Sequence, residues 1–200
     1  MAGDMNWSRV LGIWLLAASL SGCGPFSRTG PDEHEIPTSS HTIQELCDSA
    51  KQFFVARAGT ENLKLSAGAG GKALTARIGS GNGCFYEKED GSAWLSSLGY
   101  VSLFREVDSA RTLTQPPSTT ENYPAKAMTV DGVAVKAATE PLPKGGDPAT
   151  TLLDVNLTAT IDGWKGELHF RAAENQTARD DQLIRSGAQV LVNMVRTLKS

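Results

Sequence analysis

The 200-residue sequence is poor in the residue types that most often carry out chemistry. It has three histidines and three cysteines, with no Gly-x-Ser-x-Gly turn and no histidine pair at metal-binding spacing. Its formal net charge is −3, and its lysines and arginines form no cluster. These absences argue against a nucleic-acid-binding protein and leave no recognisable catalytic, cofactor or metal site. We therefore expect a protein that is not an enzyme.

The apolar stretch Val10–Leu20 is too short to cross a bilayer, which takes about 20 residues. A short apolar core followed by small residues is typical of a processed export signal. The residues Leu20-Ser21-Gly22-Cys23 resemble the lipobox of bacterial lipoproteins. This resemblance implies that residues 1–22 are removed and that the Cys23 thiol carries the acyl chains, such as palmitate, of a lipid anchor. An ordinary signal peptide with an accidental Cys23 is the alternative.

The charge of this signal bears on where the chain starts. Asp4 cancels Arg9, so only the terminal amine gives the segment a positive charge. A start at Met5 would remove Asp4 and restore the positive charge that is usual before the apolar core. We expect Met5 to be the start, with Met1 as the alternative.

Beyond the signal, composition divides the chain into a tether and a domain. Residues 23–40 contain three prolines, several serines and threonines and no apolar periodicity, which predicts a flexible tether. Residues 41–200 have the length of a single extracytoplasmic domain with one hydrophobic core.

The two remaining cysteines, Cys47 and Cys84, both lie in this domain. The space outside the cytoplasm is oxidising, so the pair indicates one disulfide. Metal binding is the rival interpretation, but two ligands are too few for a structural site. The two cysteines are 37 positions apart in the sequence, and a disulfide closing this loop would stabilise the fold by about 4 kcal/mol in the chain-entropy model.

Two helices are predicted, one at each end of the domain. Thr42-Ile43-Gln44-Glu45 fits a capping box, apolar residues then repeat at helical spacing, and Gly59 can end the helix. A second helix starts at Thr177 and has one apolar stripe between Ile184 and Leu198.

The segment between the helices reads as short strands. Alternation on both sides of Asp162-Gly163 predicts a hairpin over Leu153–Ala172, in which a two-residue turn pairs Asn156 with His169. Asn156 and His169 then both face solvent, and His169 needs no catalytic role. Asp131-Gly132 marks a second hairpin, and shorter strand candidates include Lys72–Ile78. The expected fold is α+β: an N-terminal helix, an antiparallel sheet of about six strands built from hairpins, and a C-terminal helix packed on one face.

This layout resembles small actinobacterial lipoproteins that carry a domain of unknown function. The resemblance is carried by Cys23, by Cys47 in the first helix, by Cys84 followed by the aromatic residues Phe85 and Tyr86, and by the closing helix. It implies no functional residue beyond the cysteines.

The expected function follows from the anchor and from the missing catalytic pattern. We expect a lipoprotein on the extracytoplasmic face of the cell membrane, acting as a non-enzymatic binding or accessory module for an envelope protein or lipid. One alternative is a lipid or glycolipid carrier whose sheet encloses an apolar cavity. Another is an envelope hydrolase that brings together groups such as Glu87 and His169.

Replacing Cys23 with Ala should abolish lipidation, because the thiol is the atom that would be acylated. Cells fed radiolabelled palmitate should label the wild-type protein and not the Cys23→Ala variant, which should also keep its signal segment. Ser21→Ala, which keeps a small residue before the cysteine, should label as the wild type does. Equal labelling of the Cys23→Ala variant would show that the resemblance to a lipobox is misleading.

Overall fold

The computed structural model describes residues 39–68, 72–79, 82–89, 97–106, 125–142, 152–173 and 177–200. The predicted signal, Cys23 and nearly all of the predicted tether lie outside these residues. Two helices, α1 (Ile43–Ala58) and α2 (Thr177–Leu198), flank seven strands in the chain order. Neither helix is long and apolar enough to cross a membrane.

The predicted capping box at the start of α1 is confirmed. The Glu45 backbone N–H donates to the Thr42 hydroxyl oxygen over 3.3 Å, and the Thr42 N–H donates to the Glu45 carboxylate over 2.7 Å. Bonds from the Thr42 backbone and the His41 imidazole lower the pKa of Glu45 to about 2. The helix ends at Gly59, whose φ of 69° is left-handed.

The segment Lys72–Ile78 is a turn, so the strand prediction made for it was wrong. Its carbonyl groups serve the start of α1: Ala76 O accepts from the Ile43 N–H at 2.9 Å, and Leu74 O accepts from the Gln44 N–H at 2.8 Å. The first N–H groups of a helix have no partner within it. The segment therefore caps a helix instead of pairing in the sheet.

The sheet is antiparallel throughout and has seven strands, where about six were expected. The order across it is β1-β2-β3-β7-β6-β5-β4, so the last hairpin lies at its centre. The strand bounds are β1 (Leu63–Ala67), β2 (Asn82–Lys88), β3 (Ser97–Arg105), β4 (Ala125–Val130), β5 (Val133–Leu142), β6 (Leu152–Ile161) and β7 (Trp164–Ala173).

The predicted register of the β6–β7 hairpin is confirmed. Asp162 and Gly163 have φ values of 51° and 77°, the two left-handed residues of a type I′ turn. The turn fixes the pairs Ile161–Trp164, Thr158–Glu167, Leu157–Leu168, Asn156–His169, Val155–Phe170 and Asp154–Arg171. A shift by one residue would exchange the two faces of both strands.

Both helices pack on one face of the sheet, the inner face, and build the core there. Phe54 of α1 stacks on Tyr86 of β2 with 4.0 Å between ring centroids, and the Tyr86 hydroxyl donates to Cys47 O over 2.5 Å. The predicted disulfide joins Cys47 to Cys84, whose Cα atoms are 5.3 Å apart, and so links α1 covalently to β2. All four side chains are fully buried.

The start of the described chain is bound to the end of α2. The Ser39 hydroxyl donates to Leu198 O over 2.7 Å, and the Ser40 N–H donates to Ser200 O over 2.8 Å. Lys199 forms an ion pair with Asp162 in the β6–β7 turn. Ser39 and Ser40 are therefore held against the end of α2, which is itself paired with this turn.

Helix α2 lies so close to β7 that one strand position has no room for a side chain. A β-carbon at Gly166 would lie 2.3 Å from Val195 Cγ2 and 2.9 Å from Leu191 Cδ1. Interiors packed in this way contain few voids. This contact leaves no space for an acyl chain between α2 and the middle of β7.

Gly166→Ala should lower the free energy of unfolding by about 1–3 kcal/mol, as overpacked cores do. Urea denaturation with tryptophan fluorescence would measure the loss. Lys165→Ala, next along β7 on the opposite face, should stay within about 0.5 kcal/mol of the wild type. A Gly166→Ala variant as stable as the wild type would mean that α2 is loosely packed, as a carrier of acyl chains would require.

Candidate functional site

The sheet has a second face, the outer face, which points away from α1 and α2. Strand residues alternate between the two faces, so each strand contributes every second side chain to the outer one. Neither described helix packs on the outer face. Side chains that a ligand can reach without disturbing the core therefore lie on this face.

One line of register crosses all seven strands on the outer face. The pairings run continuously from β1 to β4, and each member is the direct partner of the next. We call this line the outer row: Ser66, Phe85, Tyr100, His169, Asn156, Ala138 and Ala125.

The half of the outer row on β2, β3 and β7 is made of rings. Phe85 is 39% exposed, and it is the one large apolar side chain among the described residues that counts as exposed. Its ring centroid is 5.4 Å from that of Tyr100, which stacks on the His169 imidazole at 4.9 Å. Burial, together with the charges of Glu167 and Asp154, raises the pKa of Tyr100 to about 12. The phenol is thus neutral at physiological pH.

Asp154 orients the imidazole of His169. A carboxylate can only accept, so His169 Nε2 carries the hydrogen in the 2.7 Å bond to Asp154 Oδ1. Arg171 Nε lies 3.5 Å from the same oxygen. Burial alone would raise the pKa of Asp154, but the bond from His169 and the charges of His169 and Arg171 outweigh it and lower that pKa.

This bond decides the role of the other ring nitrogen. With the hydrogen on Nε2, the Nδ1 atom of a neutral His169 is an acceptor. It is buried and finds no hydrogen-bond partner in the part of the chain that the structure describes. Asn156 Oδ1, on the neighbouring strand, is a second acceptor in the same condition. With a neutral His169, the outer row thus contains two adjacent acceptors that lack donors.

The sequence placed these residues on the correct face but misjudged their exposure. Asn156 is only 4% exposed, although solvent exposure was expected for it. The His169 side chain is 17% exposed. Both belong to the central strands β6 and β7, each of which has a neighbouring strand on either side. Alternation identifies the face of a residue and does not reveal how deeply its neighbours bury it.

The groups suggested for a hydrolase are not brought together. Glu87 forms an ion pair with Lys64 at 3.6 Å, while His169 contacts Asp154, a pairing that the sequence did not suggest. No group of three or more His, Cys, Asp or Glu side chains among the described residues could hold a metal ion.

A second candidate is the cleft of about 370 Å³ where the start of α1 meets the end of α2. Its polar side chains already have partners within the chain. His41 Nδ1 lies 3.1 Å from Glu45 Oε1, and Asp48 accepts from Gln44 over 3.0 Å. The outer row is the stronger candidate, because its acceptors still require donors.

Asp154→Asn should weaken the loss of stability in acid. The pKa of Asp154 is lower in the folded protein than its ordinary value of 3.8, so its ionised form stabilises the fold above that pH. This contribution is lost as the pH falls through the folded value. Urea titrations at about pH 7 and about pH 3 should show a smaller loss of unfolding free energy for Asp154→Asn than for the wild type. Thr160→Ala, on the same face of β6, should behave as the wild type. Equal losses in Asp154→Asn and wild type would contradict the assignment.

Comparisons with known proteins give no relative from which a role could be transferred. No protein-family model, no curated protein and no solved structure matches the chain. The resemblance to actinobacterial lipoproteins stays a prediction. The function must therefore be inferred from the chain's own residues.

Proposed function

We propose that this protein is a lipid-anchored, non-enzymatic binding module of a bacterial cell envelope, and that it holds its ligand on the outer row. The lipobox-like residues ending at Cys23 support the anchor and the extracytoplasmic location. The exposed ring of Phe85, and the two acceptors without donors farther along the same row, support the binding surface.

The unpaired acceptors are the observation that carries the proposal. Leaving a buried polar atom without a partner costs about 1–3 kcal/mol, and native proteins contain few such atoms. His169 Nδ1 and Asn156 Oδ1 are two of them, on residues directly opposite each other in the sheet. Both atoms have almost no accessible surface, so a ligand reaches them by displacing neighbouring side chains. A ligand that then donates hydrogen bonds to both atoms would recover this cost.

The fixed start of the domain supports a role at a membrane surface. Ser39 and Ser40 are bonded to the last residues of α2, so a tether from Cys23 would join a rigid point of the domain. A flexible chain of about 16 residues spans roughly 20 Å. The tether would then hold the domain within roughly this distance of the membrane. The domain could still rotate about the tether, so its outer face could meet a ligand.

The lipid carrier, expected as an alternative, is less well supported than the binding module. Beside the close contact at Gly166, a β-carbon at Gly187 of α2 would lie 3.0 Å from Leu157 and 3.1 Å from Phe170. The inner face is therefore closely packed at the two central strands. An acyl chain would have to displace α2.

An envelope hydrolase is the second candidate, because the 2.7 Å bond between Asp154 and His169 orients an imidazole as a general base requires. A base also needs a nucleophile within hydrogen-bond distance. No described hydroxyl or thiol bonds to His169 Nδ1. Ser102 belongs to the next residue pair on the outer face, and its hydroxyl donates to Glu167 instead. Hydrolysis of a chromogenic ester by the wild type but not by His169→Gln would favour the enzyme.

A photo-crosslinker on the outer row should capture the ligand in cells. We expect p-benzoylphenylalanine at position 85, which keeps an aromatic ring there, to give a discrete adduct of the membrane-bound protein. The same group at position 185, an exposed residue of α2, should give none. Gel mobility and mass spectrometry after irradiation would measure both. Equal adducts at the two positions, or none at position 85, would contradict binding on the outer row.

A further inference from the structure

We infer that the outer row binds a neutral, hydroxyl-rich glycan segment. This inference rests on the proposed binding function of the same surface and goes further by naming the chemistry of the ligand. It follows from three properties of the outer face: its balanced charge, its two adjacent acceptors, and its exposed ring.

The charges that the described strands place on the outer face are equal in number for the two signs. Three ion pairs join them: Lys64 with Glu87 and Lys165 with Glu167, each 3.6 Å apart, and Arg171 with Asp154 at 3.5 Å. On the strand pairings, the cations are Lys64, Lys136, Lys165 and Arg171, and the anions are Glu87, Glu140, Asp154 and Glu167. A face without net charge offers no long-range attraction for a polyanion or a polycation. A neutral ligand fits it best.

The two acceptors call for donors that lie close together. Residues directly opposite each other in an antiparallel pair have Cβ atoms about 4.5–5.5 Å apart. His169 and Asn156 are such a pair. Hydroxyl groups on neighbouring carbons of a sugar ring present donors at short spacing, and each hydroxyl can also accept a bond.

The ring of Phe85 supplies the apolar half of the surface. One side of a sugar ring is lined mainly by C–H groups, and such a side packs on an aromatic ring while the hydroxyls at its edge reach polar neighbours. Phe85 and Asn156 lie on strands separated by two others, β3 and β7. At about 4.8 Å between strands, this distance is roughly 14 Å, which exceeds the width of one sugar ring. We infer an oligosaccharide rather than a monosaccharide.

Lipid and peptide ligands fit these properties less well. An acyl chain has no donor for His169 Nδ1 or Asn156 Oδ1, and burying these atoms under it would keep both unpaired. An extended peptide pairs its backbone groups with an exposed sheet edge, whereas β6 and β7 lie at the centre of the sheet. The hydroxyl-rich ligand meets all three properties at once.

The test uses the full chain in a zwitterionic detergent that lacks a sugar headgroup. Maltohexaose, cellohexaose and laminarihexaose are neutral probes, and hexagalacturonic acid is the charged counterpart. Isothermal titration calorimetry should detect binding of at least one neutral hexasaccharide, and at least tenfold weaker binding of the charged one. No binding of any neutral probe at millimolar concentration would overturn the inference, as would equal affinity for the acid.

Two variants locate the binding, and a third is the control. Asn156→Leu keeps the size of the side chain and removes the unpaired acceptor, so it should fold at least as well as the wild type. It should bind the neutral hexasaccharide at least tenfold more weakly, and Phe85→Ala should do the same. Thr160→Ala, at an exposed position of the same face, should bind as the wild type. Unchanged affinity in folded Asn156→Leu would overturn the inference even if a glycan binds.

The outcomes separate this inference from the proposed function. A crosslinked protein partner at position 85 together with no glycan binding would leave the binding module standing and refute the glycan. Failure of both experiments would refute both. Glycan binding that survives both row variants would place the glycan elsewhere on the protein and refute this inference.

Discussion

The register of the β6–β7 hairpin is the constraint on which the two faces of this domain depend. It directs Leu157 and Phe170 toward the helices and sets Asn156 opposite His169 on the other side. A slip of one residue would send the polar pair into the core and the apolar pair to the outer face. The type I′ turn at Asp162-Gly163 prevents the slip, because two left-handed residues fit only the two-residue connection. The register of this hairpin therefore determines both which residues enter the core and which residues form the candidate site.

The inner face explains why the site lies where it does. The disulfide joins α1 to β2, and α2 approaches β7 so closely that only glycine fits at position 166. The same closeness recurs at Gly99, where a β-carbon would lie 2.0 Å from His169 O and 2.9 Å from the Phe54 ring. Gly99 also has a φ of 147°, a conformation that suits glycine. It brings β3 against β7 immediately before Tyr100, whose ring then stacks on His169. The close packing of Gly99 against Phe54 and β7 thereby positions the rings of Tyr100 and His169 on the outer face.

Local patterns in the sequence were enough to predict much of this architecture. The capping box, the turns at Asp131-Gly132 and Asp162-Gly163 and the hairpin register involve residues close together in the chain, and all are confirmed. The contact of Tyr100 with His169 joins strands that are 69 positions apart and has no local signal. The burial of Asn156 depends on both neighbouring strands, so alternation in β6 could not reveal it. The turn Lys72–Ile78 was mistaken for a strand because its bonding partner is a helix terminus.

In the proposed function, a single hydrogen bond links the stability of the domain to ligand binding. Ionised Asp154 accepts from His169 Nε2, which leaves the Nδ1 of a neutral imidazole as an acceptor like Asn156 Oδ1. If His169 were turned or its hydrogen moved to Nδ1, the row would present one donor and one acceptor and would select a different ligand. In the proposed binding function, Asp154 would therefore set the specificity of the row without touching the ligand. The two acceptors lower the stability of the free domain, and the fold tolerates this because the disulfide and the close packing of α2 stabilise the opposite face. In the proposed function, a ligand without two suitably spaced donors would leave the two acceptors unpaired. The row would therefore bind such a ligand more weakly than one that donates to both.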